Sequence, residues 1–325
     1  MTSLPLVVRG LGAAYSRLPT QRIVGDRLTV LIYHRVHRKH DAFSRGGVDA
    51  ATFDWQLKLL ARHFNVLPLG SAVAALHGGE SLPRGAVAIS FDDGYRDNYE
   101  IALPILTKYG LTATFFIATG FLDGGIMWND VIIECLRRTE VANLNLDWLG
   151  LGKPAMVTAS DRDVLARNII KRVKHEPADL RRSHVSRLIE ATMVDPPDDL
   201  MMSSSHVRAM VDAGMEIGAH TVSHPILRNC DSNFAREEIQ ESRSVLERIT
   251  NDAVRGFAYP NGRPGEDFSE RDVRLVEELG FDYAVSTRWD IADRGSDRFA
   301  IPRINPWDET PLRWMVRVIA ARALA

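Results

Sequence analysis

The chain has little cysteine and no excess of either charge. Its 325 residues include two cysteines, Cys135 and Cys230, and 40 Lys and Arg against 42 Asp and Glu. Two cysteines cannot build the disulfide framework of a small secreted domain. A net charge of −2 gives no bulk electrostatic attraction to polyanions, so nucleic-acid binding is not expected.

Long apolar runs and nucleotide-binding glycine motifs are also absent. No stretch of about 18 apolar residues occurs, so a transmembrane helix is not expected. Arg9 and Arg17 interrupt the N-terminal segment 1–27, which therefore lacks the apolar core of a signal peptide. Neither GxxxxGK[ST] nor GxGxxG is present, which excludes the usual phosphate cradles. The sequence predicts a cytoplasmic protein.

Short apolar runs alternate with helical patterns along most of the chain. AVAISF at 86–91 and ATFFIA at 113–118 are apolar throughout, which is typical of parallel strands buried on both faces. Helical patterns such as 53–64 and 234–249 separate such runs. This alternation predicts an α/β fold with a parallel sheet or barrel.

The alternation stops between about residues 125 and 205, where the pattern becomes mostly helical. We therefore predict an N-terminal segment (1–27), a barrel (28–310) that carries this helical insertion, and a C-terminal amphipathic helix (311–325). Barrel active sites lie at the carboxyl ends of the strands. Because the insertion follows the strand at 113–118, it either covers the active site or forms a solvated helical excursion.

Residue types that bind metals and transfer protons recur at one kind of position. Each lies at or just past the end of a predicted strand. The four clusters are His34, Asp92 with Asp93, His220 with His224, and Tyr259 with Pro260. Because the carboxyl ends of parallel strands meet at one rim, these clusters should form one site.

The paired histidines favour a metal site. His220 and His224 are spaced i,i+4 in HTVSHP, which would place both rings on one face of a helical turn. Two His and one Asp leave an open position for water, as in catalytic zinc sites. Adjacent side chains of a strand point in different directions, so Asp92 and Asp93 can take separate roles. The alternative is an incidental histidine pair and a turn with a helix N-cap.

These motifs resemble those of a known enzyme family. VAISFDDGYRDNYEIALPIL, EIGAHTVSHP and RGFAYPNG are similar to the three core motifs of the polysaccharide deacetylases, the NodB-homology domain of carbohydrate esterase family 4. YHRV at 33–36 is similar to the opening motif of the branch that includes the poly-N-acetylglucosamine deacetylases. The resemblance covers about 28–124 and 206–305. It implies a distorted (β/α) barrel with about seven parallel strands.

The resemblance also implies roles for individual residues. It makes Asp92 the general base and makes Asp93, His220 and His224 the ligands of a divalent metal. The ligand types favour Zn²⁺, although they are compatible with Co²⁺ and Ni²⁺. The backbone N–H of Tyr259 would be an oxyanion donor.

Two features depart from the family pattern. The third motif of the family carries an arginine that orients the base aspartate, whereas Arg255 has a different spacing here. Arg303 in AIPRINP is the alternative. In the family, a Leu-x-His motif near the end of the domain supplies the general acid, and this motif is missing here. In the branch with the YH opening motif, the histidine of that motif is the general acid instead. This implies His34 as the acid, with a purely structural hydrogen-bonding role as the alternative.

The predicted function is metal-dependent removal of an N-acetyl or other N-acyl group from an amino-sugar glycan or glycan precursor. The alternatives are an amidase for a small or lipid-linked N-acyl substrate, and a non-catalytic glycan-binding barrel. The substrate would be an N-acetylated sugar, an oligosaccharide or a lipid-linked glycan. The basic, partly apolar ends at 1–27 and 311–325 fit the inner face of a membrane, with packing against the barrel as the alternative. The oligomeric state stays open.

Overall fold

The structure, a computed structural model, describes residues 27–43 and 47–324. The predicted N-terminal segment lies outside these residues except for Arg27. The chain forms two compact units. Among the described residues, the first unit comprises 27–39, 47–123 and 202–324, and the second comprises 40–43 and 124–201.

The first unit is built on a curled, eight-stranded sheet. Its strands are β1 (Arg27–Tyr33), β4 (Asn65–Val66), β5 (Ala86–Phe91), β6 (Thr114–Ile117), β7 (Glu216–Ala219), β8 (Gly256–Ala258), β9 (Tyr283–Val285) and β10 (Ala292–Asp293). The order is β10-β1-β5-β6-β7-β8-β9, with β4 beside β5. Only β10 pairs antiparallel within this sheet. The predicted distorted barrel with about seven parallel strands is confirmed.

One more strand pair and ten α-helices complete the described chain. The short strands β2 (Val36–His37) and β3 (Val48–Asp49) pair in parallel. The helices of the first unit are α1 (Ala50–His63), α2 (Leu69–His77), α3 (Leu103–Lys108, preceded by a π-helical turn at Asn98–Ala102), α7 (Ser204–Asp212), α8 (Ser232–Thr250), α9 (Glu270–Glu278) and α10 (Pro311–Leu324). Those of the second unit are α4 (Trp128–Arg138), α5 (Ala159–Val173) and α6 (Ala178–Thr192). Short 3₁₀ turns lie at Thr119–Phe121, Asp147–Leu149 and Leu227–Asn229.

A short segment near the C-terminus closes the barrel between its first and last parallel strands. The N–H of Ile301 donates to the carbonyl of Ala284 in β9 at 2.9 Å, and the N–H of Ile304 donates to that of Val30 in β1 at 2.8 Å. The intervening Arg303 is 1% exposed. Closure of the sheet therefore brings an arginine into the interior of the barrel.

The C-terminal helix packs into the core of the first unit. Trp314, Met315 and Val318 of α10 are fully buried there, and Trp314 makes an edge contact with Trp55 of α1. These apolar side chains are thus withdrawn from any membrane surface. No helix in the described ranges combines the length and apolar character that a membrane span requires.

The second unit is helical and has a core of its own. Leu136 of α4, Leu165 and Ile169 of α5, and Leu188 of α6 are buried together. Thr158 begins α5 with a capping box, because its hydroxyl accepts from the N–H of Asp161 while that carboxylate accepts from the N–H of Thr158. The two alternatives for this region, a cover over the active site and a solvated helical excursion, both stay predictions.

Candidate active site

Three side chains of metal-ligand type converge beyond the carboxyl ends of β5 and β7. Oδ1 of Asp93 lies 3.4 Å from Nε2 of His220 and 3.4 Å from Nε2 of His224. The three potential ligand atoms all lie within 4.8 Å of one another. Ligands roughly 2.0–2.1 Å from a tetrahedral Zn²⁺ are about 3.3 Å apart. The spacing therefore fits one divalent metal bound by all three residues.

The backbone of the neighbouring strand orients His220. Nδ1 of His220 lies 2.7 Å from the carbonyl oxygen of Ala258 in β8. Since a carbonyl only accepts, Nδ1 carries a proton, which leaves Nε2, the atom that faces Asp93, as the nitrogen available to a metal. This second hydrogen bond is the usual means of fixing the ring of a metal-binding histidine.

The predicted helical turn between the two histidines is wrong. Residues 220–224 form a non-helical turn in which Thr221 and His224 have φ of +65° and +54°. These two left-handed residues reverse the direction of the chain. Although the turn is not helical, the ring centroids of His220 and His224 lie 4.8 Å apart. Asp93 is also left-handed, with φ of +80°. Such backbone costs about 1–3 kcal/mol per residue and clusters at functional sites.

Charge and burial set the protonation of this cluster. Burial lowers the pKa of His224 to about 4, so its imidazole is neutral, as metal binding requires. Burial opposes ionisation of Asp93, but the hydrogen bond to His220 holds its pKa below the usual range. Burial likewise opposes protonation of His220, yet Asp93 and Asp92 raise its pKa. Metal binding at His220 would therefore release a proton.

Asp92 is held by a buried, bidentate ion pair. Nη1 and Nη2 of Arg303 donate to Oδ1 and Oδ2 of Asp92, each at 2.7 Å. The Arg303 side chain is 0% exposed and that of Asp92 is 3% exposed. Arg303 is itself fixed, since its Nε donates to the carbonyl of Ser286 at 2.9 Å. The orientation of the Asp92 carboxylate is thus determined by the barrel closure.

This ion pair keeps Asp92 ionised inside the protein. Burial acts to raise the pKa of Asp92, but the charge and hydrogen bonds of Arg303 outweigh it. Smaller contributions from His220 and His34 act in the same direction. The pKa of Asp92 therefore lies below its usual range, so the carboxylate is ionised and offers lone pairs that can accept a proton.

The structure shows which of the two candidate arginines, Arg255 or Arg303, binds Asp92. Arg255 precedes β8 and lies at the amino end of the strand, away from the cluster. Its Nη1 contacts Oδ2 of Asp282 at 3.2 Å, and both side chains are more than half exposed. Arg303 alone of the two contacts Asp92.

His34 faces the same cluster from the end of β1. Burial raises the pKa of Asp92 and Arg303 lowers it; the charge of His34 lowers it further, to a smaller extent. The carbonyl of His34 accepts a hydrogen bond from Nδ2 of Asn98 at 2.8 Å. Next to it, Oδ1 of Asp97 accepts from the N–H of Val36 at 3.0 Å. We did not single out Asp97 and Asn98 from the sequence, although they lie in the motif that contains FDDG.

Tyr259, to which the resemblance assigns an oxyanion donor, is bonded within the barrel through its backbone and its side chain. Its N–H donates to the carbonyl of Val285 in β9 at 3.3 Å. Its ring is buried and stacks on Phe268 at 3.8 Å between centroids, and its hydroxyl donates to the carbonyl of Phe299 at 2.9 Å. In this structure the N–H is thus bonded to the sheet, and the oxyanion role that the resemblance implies stays a prediction.

The fold and the site together define a class of protein: a (β/α) barrel with an Asp-His-His cluster beside a buried, ionised carboxylate. Comparison with known proteins is consistent with this class. Residues 79–284 match the family described as "Polysaccharide deacetylase". The chain belongs to the polysaccharide deacetylase family, and it is a carbohydrate deacetylase, as the sequence motifs predicted.

Known relatives share the fold at low sequence identity. The Streptococcus pyogenes deacetylase PplD superposes with a TM-score of 0.61 at 20% identity, over 90% of this chain and 99% of that one. IcaB from Ammonifex degensii gives 0.60 at 21% identity, over 92% and 98%. A Bacillus subtilis protein named as a polysaccharide deacetylase, YxkH, is 21% identical over 279 residues, 86% of this chain and 71% of that protein.

Proposed function

We propose that the enzyme removes the N-acetyl group of an amino-sugar glycan or glycan precursor by metal-assisted attack of water. The observation that carries this proposal is the convergence of Asp93, His220 and His224 beside the ionised Asp92. When bound by these three residues, a divalent metal supplies Lewis-acid chemistry that polarises the acyl carbonyl and acidifies water. The ligand set favours Zn²⁺ and also accommodates Co²⁺ and Ni²⁺.

Asp92 is the proposed general base, which takes the proton of the attacking water. Each oxygen of a carboxylate has two lone pairs, so the bidentate contact with Arg303 leaves acceptor capacity free. Because Arg303 fixes the plane of the carboxylate, the free lone pairs keep one orientation. Positioning of this kind contributes to general base catalysis as much as the pKa does.

His34 is the proposed general acid, which protonates the departing nitrogen. An amide anion is too basic to leave, so the amine must receive a proton as the carbon–nitrogen bond breaks. The position of His34 is supported by Asn98, which binds its carbonyl, and by Asp97, which accepts from Arg35 Nε at 2.8 Å. These contacts tie the end of β1 to the segment that follows FDDG.

The substrate form and the location remain proposals that rest on the sequence. We propose an N-acetylated sugar, oligosaccharide or lipid-linked glycan, handled in the cytoplasm. Peripheral membrane contact through α10 would have to use its exposed side chains, such as Leu312 and Val316, since Trp314 and Met315 are buried.

Acetate release tests the proposed function directly. We expect the full chain to release acetate from an N-acetylated sugar, oligosaccharide or lipid-linked glycan. A chelator should abolish this activity, and added Zn²⁺, Co²⁺ or Ni²⁺ should restore it. Acetate release that survives complete metal removal would contradict the metal-dependent mechanism. Glycan binding without acetate release would instead favour the non-catalytic barrel.

His34→Ala should slow the hydrolysis of an amide substrate much more than that of an activated ester. General acid catalysis is worth roughly 10²–10⁴-fold, so the variant should lose about that much on an N-acetyl sugar. An activated aryl acetate needs no proton on its leaving group, and its hydrolysis should fall much less. His40→Ala, at an exposed histidine, is the matched control and should hydrolyse both substrates normally. Equal losses on both substrates for His34→Ala would assign His34 to structure or to water attack.

A further inference from the structure

One buried carboxylate outside the cluster holds the turn that carries both histidines. Oε2 of Glu238 accepts from the N–H groups of Val222 and Ser223, each at 2.8 Å. Its Oε1 accepts from Oγ of Ser223 at 2.6 Å. Glu238 is only 6% exposed, so water is largely excluded from these three bonds.

Glu238 lies in a long, capped helix of the first unit. It lies in α8, between the buried Ala235 and Ser242 and beside the buried Ile239. This helix begins at an Asp231 cap, whose side chain accepts from two backbone N–H groups of the first turn. The carboxylate therefore reaches the turn from a fixed helix rather than from a loop.

The opposite side of the turn is tied to the end of β6. The N–H of Thr119 donates to the carbonyl of Thr221 at 3.1 Å, and that of Gly120 donates to the carbonyl of Val222 at 2.9 Å. A Cβ on Gly120 would lie 2.7 Å from the oxygen of Val222, so this close approach requires glycine. Glu238 binds the N–H groups of the turn while residues 119 and 120 bind its carbonyls.

The turn needs such support because its conformation is costly. Thr221 and His224 flank the residues bound by Glu238, and both have left-handed backbone. Left-handed backbone at residues other than glycine is strained, whereas hydrogen bonds to a charged group are among the stronger ones in proteins. The three bonds to Glu238 therefore act against that strain. Without them, the turn can relax and His224 moves relative to Asp93 and His220.

We propose that Glu238 is the positioning residue of the metal site, and that it sets metal affinity through the turn without touching the metal. This inference rests on the proposed metal-dependent function. It predicts that loss of the Glu238 contacts weakens metal binding by the folded protein, rather than only lowering its stability.

Glu238→Gln tests the proposal with little change in shape. The amide nitrogen of glutamine cannot accept a hydrogen bond, so the contact with the Ser223 hydroxyl survives only if that hydroxyl accepts instead of donating. The charge that strengthens all three bonds is removed. We expect the Zn²⁺ affinity of the folded protein to fall by about 10–100-fold, the usual effect of removing an outer contact of a metal site. The matched control is Glu237→Gln, at the exposed neighbour on the same helix, which should bind Zn²⁺ like wild type.

The measurement is Zn²⁺ competition with a chromophoric chelator, with melting temperatures recorded with and without Zn²⁺. A positioning role predicts a smaller Zn²⁺-induced stabilisation and deacetylase activity that recovers at high Zn²⁺. Ser223→Ala removes one contact only and provides a folded test if Glu238→Gln does not fold. Wild-type Zn²⁺ affinity in Ser223→Ala and in any folded Glu238→Gln protein would overturn the inference. Failure of wild type itself to bind Zn²⁺ would instead overturn the proposed function.

Discussion

Asp92→Asn should abolish deacetylation and leave the metal bound. Removal of a general base costs roughly 10²–10⁴-fold in rate, whereas the ligand atoms of the cluster come from other residues. Replacement of any ligand should abolish tight metal binding together with activity. The proposed ligands are Asp93, His220 and His224. Metal content of the purified proteins and acetate release from an N-acetyl sugar measure the two properties separately.

The two neighbouring aspartates should respond differently to the same substitution. Asp93→Asn and Asp92→Asn are the same chemical change at adjacent positions. Asp93 faces both histidines, while Asp92 is bound by Arg303. Asp92→Asn also leaves Arg303 partly unpaired, so its melting temperature must be checked. If Asp92→Asn loses metal as readily as Asp93→Asn, the assigned roles are wrong.

Arg303→Gln should both destabilise the protein and shift its pH dependence. Removal of one partner from a buried ion pair leaves an uncompensated charge and costs about 3–5 kcal/mol. Burial, the largest influence on Asp92, would then raise its pKa. Because the base acts when ionised, the acidic limb of kcat/KM should move to higher pH. Denaturant unfolding and a pH profile of kcat/KM measure these effects.

The dependence of stability on pH follows from the lowered pKa of Asp92. In wild type the folded-state pKa of Asp92 lies below its ordinary value, which is about 3.9 in the unfolded chain. Ionised Asp92 therefore stabilises the fold at pH values above about 3.9, and this contribution disappears as the pH falls through the folded-state pKa. In Arg303→Gln the contribution should be reduced even at neutral pH.

Two further variants provide an intermediate case and a control for Arg303→Gln. Arg303→Lys keeps the charge but loses the planar fork that binds both oxygens, so an intermediate effect is expected. Arg255→Gln removes an arginine whose ion pair is exposed and should change stability by no more than about 0.5 kcal/mol. An unchanged acidic limb in a folded Arg303→Gln protein would mean that Arg303 does not control the protonation of Asp92.

The sequence by itself was sufficient to identify the fold class and where the functional residues would meet. Apolar runs such as 86–91 form strands buried on both faces, as predicted. Residues at the carboxyl ends of parallel strands reach one rim, so Asp93 and His220 converge although they come from β5 and β7. Hydrophobic patterning is a local property, and strand ends follow from it directly.

Only the tertiary structure decided the contacts that depend on distant parts of the chain. Arg303 reaches Asp92 across 211 residues because its neighbours Ile301 and Ile304 pair with β9 and β1. Glu238 reaches the histidine turn from a separate helix. The N–H of Tyr259 bonds to the next strand, which its own motif does not reveal. Barrel closure, helix placement and strand pairing are long-range interactions, and residue spacing in a single sequence does not encode them locally.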